Sequence, residues 1–168
     1  MLLSFATATL LGAAAAPVPV TTDQLPNLFI AACLDGKADS SSWSASPVGF
    51  EALPSDVRGH LGRPDEARVW RVDGDSPAYL YSLTYSEKGF SPRICGIASE
   101  SLAIRPAAAA VETRLYGRPQ AKDRAIRSTE WLNDSAGYRA LATRKGKFTV
   151  LQVNWLKGNT NSEAATPQ

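Results

Sequence analysis

Two cysteines, one histidine and a scatter of carboxylates are the side chains here whose types could do covalent, acid–base or metal chemistry. Cys33 and Cys95 form no C-x-x-C, which excludes thioredoxin-type redox chemistry and zinc-knuckle spacing. His60 sits between Gly59 and Leu61, and no serine lies in a G-x-S-x-G elbow. A hydrolytic triad needs a base beside a nucleophile, so the default role of His60 is structural and exposed. Multi-histidine zinc sites are excluded by a count of one. Glu51, Asp56, Asp65, Glu66, Glu87, Glu100, Glu112 and Glu130 could supply the carboxylate pair of a glycoside hydrolase, but their spacing selects no two of them. Asp73-Gly74-Asp75 fails as a calcium loop. An EF-hand starting at Asp73 needs Gly and Glu where the chain has Ala78 and Thr84. Glycine-rich phosphate loops are absent too, so no cofactor is expected.

The remaining polar signal is basic. One cluster comprises Arg114, Arg118, Lys122, Arg124 and Arg127, and a second comprises Arg144, Lys145 and Lys147. Both are candidate anion sites for lipid phosphates, anionic phospholipid or a wall polymer. The competing reading is a solvated edge, since Lys and Arg at hairpins also keep strands of different molecules apart. Residues 1–100 hold 7 Lys/Arg against 11 Asp/Glu, net −4, whereas residues 101–168 hold 11 against 5, net +6. Mutual attraction of the two halves explains this asymmetry more simply than an anionic partner does.

What must position these residues begins with an uncharged run from Leu2 to Ala16, before the first ionisable side chain at Asp23. Leu2–Leu11 followed by Gly12 and Ala13–Ala16 has the form of an export signal, with cleavage near Ala15 or Ala16. The run is shorter than the roughly 20 residues a bilayer span needs, and no later stretch is long enough. The expected organisation is therefore a signal at residues 1–16, one domain over residues 17–157 and a disordered tail over residues 158–168.

Within the domain, Leu25, Leu28, Phe29, Ala32 and Cys33 form one apolar stripe, which predicts an amphipathic helix over residues 22–36 with Cys33 facing inward. Residues 37–49 read as a Ser-rich loop with one embedded tryptophan, Phe50–Leu53 as extended, and Pro54–Gly62 as one or two helical turns. Strands are expected at Glu66–Val72, Ala78–Tyr85 and Pro92–Ser99, then a second helix from about Pro106 to Gly117. Further strands are expected at Arg124–Leu132, Tyr138–Thr143 and Phe148–Trp155, the last two joined by a tight Lys145-Gly146 turn. The aromatics from Trp70 to Trp155 alternate along these strands, so core packing accounts for most of them and sugar stacking is the alternative. The fold class is α+β, an antiparallel sheet of about six strands with both helices on one face. The segments Asp73–Leu83 and Asn133–Leu141 each follow a Trp-containing strand and open another, which admits a duplicated αβββ unit.

In an exported chain an even cysteine count favours a structural bridge. Two alternatives stay open: a pair of buried free thiols, and lipidation of Cys33, because Ile30-Ala31-Ala32-Cys33 matches the pattern before a lipidated cysteine. The signal run, Leu28-Phe29-Ile30-Ala31-Ala32-Cys33 and Ile94-Cys95-Gly96 together resemble small exported proteobacterial proteins of unknown function. That resemblance implies an extracytoplasmic address and a Cys33–Cys95 pair, and it lends no activity. The expectation is a periplasmic or secreted, non-enzymatic binding domain of the cell envelope. Its expected partner is an anionic envelope component or another envelope protein, not nucleic acid. The alternatives are a small envelope hydrolase using a carboxylate pair or His60, and a component anchored through Cys33.

Overall fold

In the computed structural model the described residues are 19–36, 43–86, 91–115, 119–123 and 128–155, with residues 119–123 described by backbone alone. The helical segment starts at a 3-10 turn, Thr22–Gln24, continues as α1 (Leu25–Phe29) and widens into a π turn at Ile30–Leu34. Gln24 Oε1 accepts the Thr21 N–H at 2.9 Å, satisfying one of the orphan donors of a helix start, and Pro26 falls in the first turn where no amide is needed. Leu25, Leu28, Phe29 and Cys33 are buried, as the stripe requires.

Strands β1 (Ala45–Val48), β2 (Glu66–Val72), β3 (Ala78–Thr84) and β4 (Arg93–Ser99) form one antiparallel meander. Between β1 and β2 lie a 3-10 turn, Phe50–Ala52, and a short helix α2 (Ser55–Arg58). Helix α3 (Ile104–Glu112) opens the second half, followed by β5 (Pro119–Asp123), β6 (Ser128–Asn133), β7 (Tyr138–Lys145) and β8 (Phe148–Trp155). The two meanders join along β4 and β8, giving one eight-stranded sheet in the order β1-β2-β3-β4-β8-β7-β6-β5 with every neighbour antiparallel.

The fold is α+β, and four details of the expectation change. The sheet has eight strands rather than about six. The additional ones, β1 inside the Ser-rich stretch and β5 before the expected Arg124–Leu132 strand, are the two edges, and each contains a proline. Edge strands need only one partner and tolerate proline, and β1 runs intermediate, exposed, exposed, intermediate in place of an alternation. Phe50–Ala52 is a 3-10 turn, not extended chain. The last hairpin turns on Gly146-Lys147, because Lys145 pairs with Phe148; Gly146 takes the φ of +55° that such a turn demands. Each half has four strands where αβββ was expected, and the first half carries α2 between β1 and β2 with no counterpart in the second among the described residues.

Opposite residues in an antiparallel pair share a face, and the register sorts the core into two clusters. On one face Val72, Leu80, Ile97, Ala140, Leu151 and Val153 pack under α1 and α3, with Leu25, Phe29, Ala107 and Val111 as the helical contribution and Leu115 just beyond α3. On the other, Val69, Tyr81, Leu83, Ala98 and Val150 lie under Leu53, Val57 and Leu61 from the β1–β2 connection. Cys33 and Cys95 form a disulfide with Cα atoms 5.4 Å apart, tying the π turn to β4 through the first cluster. Tyr138 and Trp155 meet edge to face at 5.1 Å between ring centroids.

Candidate functional site

The basic residues are placed at opposite ends of the second half. Arg114 follows α3, and its neighbour Leu115 offers a carbonyl to the Tyr138 hydroxyl at the start of β7. Arg144, Lys145 and Lys147 lie at the other end of β7, about 23 Å away along an eight-residue strand. The Arg114 guanidinium is paired with Asp35. Lys147 Nζ stands 2.7 Å from Glu100 Oε1 and 5.6 Å above the Phe148 ring centroid. The Glu100 hydrogen bond and charge hold the Lys147 ammonium above its ordinary range, with weaker help from Asp56. Arg144 Nη1 donates to Thr149 Oγ1 at 2.9 Å, and Lys145 is half-buried. Arg118, Arg124 and Arg127 lie outside the described residues, as does the side chain of Lys122. Both Arg114–Asp35 and Lys147–Glu100 join a base of the net-positive half to an acid of the net-negative half. Attraction between halves therefore absorbs part of the charge asymmetry.

The acid–base candidates are dispersed. His60 is exposed just past α2, its amide bonded to the Val57 carbonyl at 3.2 Å. Glu51 pairs with Arg58 at 2.6 Å, Asp65 Oδ2 accepts the Ser86 N–H at 2.6 Å, and Glu130 pairs with Arg139. Asp56 packs against Gly146, Glu66 and Glu112 are exposed, and Glu87 lies outside the described residues. Among the described residues, no three His, Cys, Asp or Glu side chains are grouped to hold a metal ion.

A polar relay runs through the middle of the second face. The Tyr81 hydroxyl, fully buried, donates to Gln152 Oε1 at 2.9 Å, and Gln152 Nε2 donates to Asn154 Oδ1 at 2.7 Å. Burial pushes the Tyr81 phenol well above the ordinary tyrosine range, with a smaller contribution from Tyr85. The raised value belongs to the folded state, so its stabilising contribution is complete below the ordinary tyrosine pKa of 10.0 and is lost as pH rises past it. Replacing Tyr81 by Phe removes the donor and leaves a buried carboxamide oxygen without it. The expected loss is about 1–3 kcal/mol in a denaturant titration at neutral pH. An unchanged midpoint would mean that Gln152 finds another donor.

Among the described residues the cover of this face comes from the β1–β2 connection. Leu53, Val57 and Leu61 lie over β2 and β3, whereas on β6 Leu132 stays 37% exposed beside the Arg139–Glu130 pair.

On the other side of the molecule three separate segments enclose a groove of about 360 Å³. One wall is Pro19 and Val20, held by the Val20 N–H on the Asp73 carbonyl at 3.0 Å. The first helical segment supplies Gln24, Asn27, Leu28 and Ala31, which recur at helical spacing, and Trp43 ahead of β1 closes the third side. Leu28 and the half-buried Trp43 also belong to the first core cluster, so the apolar part of the groove is anchored in packed structure. Among the described residues, no ionisable side chain lines it.

No known protein family, curated protein or solved structure matches this chain. The groove has no motif of its own in the sequence. Its only advance signals are the lone tryptophan in a serine-rich stretch and the Gln24, Asn27, Ala31 row flanking the apolar stripe.

Proposed function

We propose that this chain is an exported, non-enzymatic binding domain of the cell envelope. The observation that carries the reading is the Cys33–Cys95 disulfide, buried at both ends and closing 62 positions of chain between a helix and the central strand β4. Such bonds persist in oxidising compartments and are rare where thiols are kept reduced. The uncharged leader-like run before Asp23 supports the same address. Among the described residues no helix is long and apolar enough to cross a membrane. The lipid-anchor alternative would require Cys33 to leave its bond with Cys95 and residues 19–32, including α1, to be cut away. The Trp43 groove gives a binding domain a place to work.

Intact mass of the protein produced by a Gram-negative host, alkylated without reduction, tests this reading. Cleavage near Ala15 or Ala16 with no alkyl group added is the expected result. A full-length chain carrying two alkylated thiols would remove the extracytoplasmic address and the bridge together.

A further inference from the structure

We infer that the groove between the first helical segment and Trp43 is a binding site for a neutral saccharide. The inference rests on the reading of the chain as a binding domain and adds the ligand's chemical class.

The lining decides the class by what it offers. A groove of about 360 Å³ is at the small end of ligand sites and accommodates one or two sugar rings. Among the described residues its lining carries no charge, so Coulomb attraction from them selects neither a phosphate nor an ammonium group. The polar groups are the carboxamides of Gln24 and Asn27, and both residues are exposed. Each carboxamide presents a donor and an acceptor, as each sugar hydroxyl does. Gln24 Oε1 is engaged by the Thr21 amide, which fixes that side chain and leaves its NH₂ as the group to offer. The rest of the lining, Pro19, Val20, Leu28, Ala31 and Trp43, is apolar. A pyranose is amphipathic in the same sense, with C–H bonds on its faces and hydroxyls at its rim. An apolar peptide would leave the two amides without matched partners.

The position is also built to hold shape. Pro19 and Val20 are pinned to the β2–β3 connection, and Leu28 is 5% exposed. Binding there would order few side chains, which keeps the entropic cost low.

The test is a ¹H–¹⁵N titration of the exported protein with cellobiose, maltose and diacetylchitobiose, beside digalacturonate as an acidic counterpart. At least one neutral disaccharide is expected to shift the Trp43 indole and Asn27 carboxamide signals while those of Trp131 and Trp155 stay still. The affinity should change by less than about twofold between about 50 and about 500 mM salt. Trp43→Ala should weaken binding by about tenfold or more. Asn27→Asp, at an exposed position where folding is not at stake, should weaken it too. Absence of shifts at Trp43 with every neutral disaccharide would overturn the inference, as would salt-dependent binding or preference for digalacturonate. The mass measurement above is read independently, so failure of the ligand class and failure of the envelope reading are separable.

Discussion

Replacing Cys33 and Cys95 together by alanine should lower stability by about 4 kcal/mol. The bond closes a loop whose ends are 62 positions apart. Without it the unfolded ensemble recovers the entropy of that loop, while the native state loses little contact. For a domain of this size the change should appear as a fall in Tm on the order of 10 °C. Dithiothreitol should reproduce the shift in the parent protein and have no effect on the double variant. A parent Tm indifferent to reductant would show that the bridge contributes nothing, and the compartment argument would weaken with it. Either single alanine variant should lose about as much as the pair, because one cysteine closes no loop.

The second large effect is expected at Gly96. A Cβ there would sit 2.5 Å from Tyr81 Oη, 2.6 Å from Tyr81 Cζ and 2.8 Å from the Leu151 carbonyl oxygen. None of these atoms is free to retreat. The tyrosine is fully buried and its hydroxyl is bonded to Gln152, and Leu151 belongs to central strand β8. Gly96→Ala should therefore cost about 3 kcal/mol or more, at the upper end of overpacking effects. Gly49 is the internal control, because a Cβ there meets nothing within 4 Å. Gly49→Ala should stay within about 0.5 kcal/mol of the parent. Adding Tyr81→Ala to Gly96→Ala should cost less than the sum of the single losses, since removing the ring relieves part of the clash. Strict additivity in that cycle would place the Gly96 effect in the Leu151 backbone alone.

Strong, two-sided patterns were legible in advance. The Leu25, Leu28, Phe29 and Cys33 stripe identified the first helix and turned Cys33 inward because one helical face must bury itself. Tyr79, Tyr81 and Leu83 alternate against Leu80, and the structure places the two sets in different clusters. The edge strands were not legible. Ala45–Val48 contains a serine and a proline and has an intermediate, exposed, exposed, intermediate burial pattern; it is a strand because β2 pairs with it. In the same way, the acidic partners of Arg114 and Lys147 were not legible. Asp35 and Glu100 are 79 and 47 positions from the Arg114 and Lys147 they pair with, beyond the reach of local pattern.

By itself the sequence determined the α+β class, the helices and inner strands, and the inward-facing Cys33. These follow from periodicity, which is a property of neighbouring residues. Only the tertiary structure decided that two four-stranded meanders join along β4 and β8, that Cys33 bonds Cys95 across the core, and that charges of opposite halves meet. The groove belongs to the same group. Its walls come from residues 19–20, 24–31 and 43, and the packing of those segments alone makes it concave.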